Sequence, residues 1–349
     1  MPKVHKSKLI AKEIENQNSE VIVCTETLDL KVRPIVAGVN CPTRNLSELL
    51  DQILKPLLKH VKSYLKDTID FLNKFNRKVK QNTILATFDV SSLYTSIPHE
   101  LGLKALKFFL EKFPDTVDKR FSKEFILEAS NFVLKNNTFE FNNENYIQLL
   151  GSAMGTIFAP TYATLVMAYL ETILYDEIER KFGKEVREHI EKNWFRFLDD
   201  CFIALDADLI TPEDLLKILN ELDTNIKFTM ESSDKNVPFL DVMVNKEEGN
   251  LWTTTYSKPT DAKRYVPFDS CHPKQCLKNI PFSLARRTCM IVEKDIEKEK
   301  ELNELSKTLL LQKYPKDIIQ KGIEMALEIP QQDLRKNLKL IKKKISLLL

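Results

Sequence analysis

Apolar residues along this chain recur with two periods. Leu49, Leu50, Ile53, Leu54, Leu57, Leu58, Val61 and Leu65 repeat at helical spacing, which predicts an amphipathic helix over 46–66 with a kink at Pro56. Asn45 followed by Glu48 fits a capping box at its start. The same period predicts helices over 99–112, 121–136 and 160–182, and over 212–223 behind Thr211 as cap. Runs rich in β-branched and aromatic residues predict strands at 21–24, 31–36, 84–89, 226–230, 239–244 and 251–256. Two pairs of runs read as hairpins: 139–141 with 146–150 around Asn142-Asn143, and 194–197 with 202–205 around Asp199-Asp200. From about residue 281 the chain reads as helical, and no internal repeat appears. The mixture is α+β.

The second hairpin carries the chemistry. Side chains alternate along a strand, but a turn relaxes that alternation, so Asp199 and Asp200 can approach one site. Two carboxylates this close raise each other's pKa unless a cation compensates, and Mg²⁺ suits hard oxygen ligands. Asp is also a favoured turn residue, so a bare Asp-Asp turn is the plain alternative. Upstream, the 84–89 strand ends in Asp89, an acid that is costly at a buried strand end unless paired or metal-bound. An N-cap role for Asp89 is the alternative, but the next helix starts too late for it. Tyr94 follows five residues later, as a core aromatic or as a wall beside an incoming sugar. The segment 151–160 holds Gly151 and Gly155, two of only seven glycines, and opens the long apolar helix. Glycine allows a ligand close to the backbone and a helix N-terminus favours anions; a tight turn on the sheet is the alternative.

Composition narrows the class. The 349 residues are 43% hydrophobic and 29% charged, enough for two or three subdomains with a sizeable core. No apolar run is long enough to span a membrane, and the N-terminus does not read as a signal peptide. Six scattered cysteines suit reduced thiols in an intracellular protein. Cys271-His272 with Cys276 and Cys289 admits zinc, although the paired CxxC spacing is missing. The net charge of +2 hides blocks of +6 (1–80), −12 (81–249) and +8 (250–349). A basic–acidic–basic order suits a metal-binding centre flanked by lobes that hold a polyanion; solvated helical faces are the alternative. Lys55, Lys59, Lys62 and Lys66 line one face of the first helix. Lys55 and Lys59, with Lys258 and Arg264 further on, are candidate nucleic-acid contacts.

Specific blocks then carry a resemblance. TFDVSSLYTSIPHE (87–100), QLLGSAMGTIFAPTYATLVM (148–167), RFLDD (196–200), PFLDV (238–242) and 254–283 resemble the reverse transcriptase of Penelope-like retroelements. The block 33–57 resembles that family's fingers segment, and together the blocks span about 30–290. The resemblance implies a right-hand polymerase fold with fingers, ferredoxin-like palm and helical thumb. It divides the chain into 1–80 (N-terminal segment and fingers), 81–250 (palm with fingers elements) and 251–349 (palm edge, thumb and C-terminal extension). It implies RNA-directed DNA synthesis from a primer 3′-OH, with RNA template, DNA primer and dNTPs as partners. Two Mg²⁺, or Mn²⁺, would be held by Asp89, Asp199 and Asp200 with the Val90 carbonyl. Arg33 would grip the triphosphate, Tyr94 would exclude a 2′-OH, and Met154-Gly155 would shape the nucleotide pocket. Lys235 is a weaker match to a lysine that protonates the leaving group. Phe197 stands where a tyrosine usually precedes the two aspartates. No GIY…YIG pair occurs after residue 250, so no endonuclease is expected. Nuclear action, with telomeric 3′ ends as a candidate primer, follows from the family alone. An RNA-dependent RNA polymerase is the rival enzyme, with Tyr94 and the lack of Gly before Asp199 against it. A non-catalytic nucleic-acid-binding remnant is the rival of another class.

Overall fold

The computed structural model describes residues 41–259 and 261–336, with Leu9, Ile35, Val36 and Gly38 besides. The strand candidate at 21–24 lies outside the described residues, as does most of that at 31–36.

In chain order, helix α1 (Arg44–Leu54) starts from Thr43, which makes no side-chain cap bond. Asn45 therefore sits inside the first turn, and the Asn45–Glu48 capping box does not form. The single helix over 46–66 does not form either. Pro56 has no N–H to give, so the chain tightens into a 3-10 helix over Lys55–His60 and leaves it extended at Val61. Next come α2 (Thr68–Lys74), capped by the Asp67 carboxylate, and β1 (Thr83–Val90). Then follow α3 (Leu93–Ser96), α4 (His99–Lys112) and α5 (Lys123–Lys135), the last capped by Ser122. The hairpin β2 (Thr138–Phe141) and β3 (Glu144–Ile147) turns on Asn142 and Asn143 at φ 54° and 61°, as a two-residue turn of the primed type requires. The chain continues through α6 (Phe158–Phe182), α7 (Lys184–Asn193), β4 (Phe195–Phe197), β5 (Asp200–Asp206) and the Thr211-capped α8 (Pro212–Glu221). After these come β6 (Phe228–Ser233), β7 (Asn236–Phe239), β8 (Val242–Glu247) and β9 (Asn250–Thr255). The tail is α9 (Lys274–Ile291), α10 (Asp295–Leu311), α11 (Lys316–Leu327) and α12 (Gln331–Leu334). The predicted 239–244 strand is thus two strands joined by a turn at Leu240-Asp241. The helical tail starts at 274, with Pro281 buried inside α9.

The chain divides into two compact units, Met1–Val61 with Ser92–Leu170 and Lys62–Ser91 with Glu171–Leu349. In the first, α1, α4, α5 and the start of α6 bury Leu50, Leu106, Phe109, Ile126, Val133 and Tyr162. Buried Asp51 accepts from Thr161 Oγ1, and Ser47 Oγ accepts from Phe158 N–H at 3.0 Å, so α1 anchors the N-terminus of α6. Gly102 of α4 lies against the fully buried Tyr162 ring: a Cβ there would sit 1.6 Å from Tyr162 Oη. Gly102→Ala is expected to cost roughly 1–3 kcal/mol, read as a lower urea midpoint at unchanged slope.

The second unit is built on a four-stranded antiparallel sheet in the order β4-β5-β1-β6 and a three-stranded sheet β7-β8-β9. One apolar cluster joins them, including Phe71, Leu85, Phe202, Phe239, Val244, Met290 and Leu309. Ser63–Leu65 runs beside β4 and covers that sheet edge: Arg196 N–H donates to Ser63 O (2.7 Å) and Leu65 N–H to Arg196 O (2.9 Å). Of the six cysteines, the five described are free.

Candidate active site

Register places the acids. β1 pairs antiparallel with β5 from Thr83↔Asp206 to Asp89↔Asp200, so Asp89 and Asp200 stand directly opposite each other on one face. Phe197 pairs with Asp200, leaving Leu198 and Asp199 as a two-residue turn. Val90 N–H donates to Asp199 O at 3.2 Å and ties that turn to the end of β1. Leu198 is at φ 56°, a left-handed conformation that costs a non-glycine residue about 1–2 kcal/mol. That strain lies beside the acids. Asp89 is exposed and Asp199 and Asp200 are half-buried.

The turn is braced from beneath. Arg196, fully buried in β4, donates from Nε to Glu171 Oε1 (2.6 Å) and from Nη1 to Leu198 O (3.4 Å). Glu171 of α6, also buried, accepts further bonds from Trp194 Nε1 (2.9 Å) and Ser63 Oγ (2.6 Å). Burial, the largest single influence, would lower the Arg196 pKa; the Glu171 charge and hydrogen bond, with smaller help from Cys201 and Tyr175, together raise it. Sequence reading missed this pair. The available signal was Arg196 at an inward position of a strand and Glu171 in an otherwise apolar stretch.

Burial first, then the charges of Asp199 and Asp89, push the Asp200 carboxyl up from 3.8 to about 6, against a lowering by Lys258. Lys258, Tyr256, Thr229 and Glu231 join Asp89 and Asp200 around a cavity of about 320 Å³. Among the described residues no three His, Cys, Asp or Glu side chains form a ready-made metal cage, and Asp89, Asp199 and Asp200 do not form one either. The zinc reading of Cys271, His272, Cys276 and Cys289 fails by the same finding. The aspartates fit a different mode: Mg²⁺ is usually held by one or two carboxylates, with waters and substrate phosphates completing its shell. The mutual repulsion at Asp200 is what a divalent cation would relieve.

The remaining candidates fall as follows. Arg33 lies outside the described residues. Tyr94 is on α3, and Met154 and Gly155 are in the loop before α6. Gly155 is crossed by Gly38: a Cβ on Gly38 would come within 2.5 Å of Gly155 O, and one on Gly155 within 2.2 Å of Val36 O. Lys55 pairs with Asp51 at 3.6 Å, and Lys59 and Arg264 are exposed. Lys235 is misplaced. β6 pairs with β1 from Val90↔Phe228 to Leu85↔Ser233, so Lys235 follows the end of β6 remote from Asp89. Lys227 precedes the near end, where its Nζ donates to Asn220 O and Asp223 O.

A family model described as "Reverse transcriptase (RNA-dependent DNA polymerase)" matches residues 28–231. Another, "Animal helix-turn-helix domain", matches 264–324, which holds α9, α10 and most of α11. No curated protein matches. Similar solved structures include an insertion-loop deletion mutant of the RNA-dependent RNA polymerase of a human picorbirnavirus, at 14% identity and TM-score 0.51 over 88% of this chain and 62% of that one. Telomerase from Candida albicans is similar at 11% identity and TM-score 0.48, over 82% and 47%. Apo telomerase from Candida Tropicalis is similar at 14% identity and TM-score 0.43, over 87% and 52%. The chain spans about half the length of these telomerase chains. At such identities the likeness speaks for the fold: an α+β right-hand polymerase fold with fingers, palm and thumb.

Proposed function

The chain belongs to the reverse transcriptase (RNA-dependent DNA polymerase) family, and from that premise we propose that it extends a primer 3′-OH with dNTPs on an RNA template. We propose further that it derives from a Penelope-like retroelement and acts in the nucleus. The observation that carries the catalytic reading is the opposition of Asp89 and Asp200 with Asp199 tied to Val90 beside them. The motif blocks at 87–100, 148–167, 196–200, 238–242 and 254–283 support the Penelope-like origin.

Asp89, Asp199 and Asp200 would hold Mg²⁺, with the Val90 carbonyl as a further oxygen. Two such ions, when bound, activate the 3′-OH and neutralise the charge of the triphosphate and leaving pyrophosphate. The chain's own residues do the rest. The Arg196–Glu171 pair holds the Asp199 turn. Lys258 supplies positive charge beside Asp200. Arg33 grips the triphosphate, Tyr94 excludes the 2′-OH, and Met154-Gly155 walls the nucleotide. Lys55, Lys59 and Arg264 contact the nucleic-acid backbone.

Primer extension on an RNA template with Mg²⁺, offering dNTPs and rNTPs separately, tests the reading. Extension with dNTPs is expected. Extension with rNTPs alone would replace it with an RNA polymerase. Binding of primer–template without any extension would replace it with a retired polymerase fold.

The pH dependence follows from Asp200. Its folded pKa of about 6 lies above the ordinary 3.8, so the folded chain holds the extra proton between those values. Metal-free stability therefore falls as pH rises through that window. Extension is expected to fall as pH drops below about 6, because the proton competes with the metal, and higher Mg²⁺ should shift the acid limb to lower pH. An acid limb indifferent to Mg²⁺ would argue against Asp200 as a ligand.

A further inference from the structure

Tyr94 is carried by a single helical turn, α3, too short to hold its own position. Its supports come from its own ends and from a loop more than fifty residues away in sequence. Ser92, at φ 56°, starts the turn and accepts at its carbonyl from Thr95 N–H and Thr95 Oγ1, both at 3.0 Å. Ser152 N–H donates to the Tyr94 carbonyl at 2.6 Å, and Gly151 N–H donates to Ile97 O at 3.0 Å. Gly151 presses on this turn so closely that a Cβ would lie 2.2 Å from Tyr94 O and 2.6 Å from Thr95 Cα. Gly151 is itself held at φ +79°, which disfavours any other residue. Its carbonyl accepts a 2.8 Å bond from His99 Nε2, at the first position of α4. The path runs from the His99 ring to the Gly151 carbonyl, and from Gly151 and Ser152 to the Tyr94 backbone. Every member belongs to the first compact unit.

We propose that His99 and Gly151 are positioning residues for sugar selection: together they fix the height of the Tyr94 backbone, and so how near its ring stands to the 2′ position of the incoming nucleotide. This inference rests on the polymerase reading above and on Tyr94 as the wall that meets the sugar. A wall excludes a hydroxyl only if it cannot retreat, and the two hydrogen bonds with the glycine contact leave the turn little room to do so. Steric rejection of one added hydroxyl is sensitive to sub-ångström displacement, so losing the brace should relax selection before it abolishes synthesis.

The test is the ratio of kcat/KM for a dNTP to that for the matching rNTP in single-nucleotide extension. It is measured for wild type, Tyr94→Ala, His99→Leu, His99→Gln and Gly151→Ala, with thermal melts of each. His99→Leu is expected to lower the ratio roughly 10-fold, mainly through a lower KM for the rNTP. His99→Gln, which keeps a donor, should retain most of the wild-type ratio. Gly151→Ala should lower the ratio at least as far as His99→Leu; if it does not fold, the two His99 variants decide the matter. Should Tyr94→Ala relax selection while His99→Leu keeps the wild-type ratio, the inference is overturned and the sugar wall stands. If Tyr94→Ala leaves the ratio unchanged, or if wild type extends with neither sugar, the reading beneath falls and the inference falls with it.

Discussion

Primer extension by Asp199→Ala falls at least about 10³-fold below wild type on the same RNA template. The charge stabilisation that metal ions supply is worth several kcal/mol, and each ~1.4 kcal/mol is tenfold in rate. Binding of primer–template should survive, because Asp199 lies in a turn and its backbone bond to Val90 does not need the side chain. The melting temperature in metal-free buffer should hold or rise, since one of three mutually repelling carboxylates has gone. Adding Mg²⁺ should raise the melting temperature of wild type and not of the variant. A variant that extends within tenfold of wild type would remove Asp199 from the chemistry.

The second large effect is on stability. Glu171→Leu leaves the fully buried Arg196 guanidinium without its carboxylate, and removing one partner of a buried pair costs about 3–5 kcal/mol. Trp194 Nε1 and Ser63 Oγ lose their acceptor in the same stroke. For a domain of ordinary stability that is a large share of the whole. The double variant Glu171→Leu with Arg196→Met should recover most of the loss, because a well-packed apolar pair avoids the uncompensated charge. It should still extend primers more slowly than wild type, having lost the bond to the Leu198 carbonyl. Urea denaturation of both variants against wild type measures the coupling. A single variant as stable as wild type would mean that the site relaxes or hydrates.

Much of this was legible in the chain. The hairpin at Asp199-Asp200 announced itself because short aromatic and β-branched runs leave few other ways to be buried. The Asn142-Asn143 turn and the Thr211 cap were readable because those residues satisfy a specific local backbone need. What stayed hidden depended on partners distant in sequence. Helix α7 is mostly charged and shows only Val186 and Ile190 to the core, too few to mark a period. The start of α9 was missed because Pro281 reads as a helix boundary, yet here it is buried inside the helix. Lys235 was a weak match by sequence, and register puts it beyond the end of β6 remote from Asp89. The acids were read from the motif blocks, but their opposition is visible only in the register of β1 and β5; the Arg196–Glu171 brace likewise needed two elements to be seen together.

Phe-Leu-Asp occurs twice, at 197–199 and 239–241, and folds alike both times: a two-residue turn with leucine at φ 56° and 57°. Only the company differs. Asp241 accepts from Thr68 Oγ1 (2.5 Å) and Arg287 Nε (2.9 Å), whereas no described side chain bonds to the Asp199 carboxylate. One tripeptide therefore serves once as a rivet between α2 and α9 and once as an open hand. A scan for the motif alone would score two active sites, and loss of activity in an Asp241 variant would seem to agree. The distinguishing sign is in the melt: the rivet fails with its fold, and the open hand fails with its fold intact.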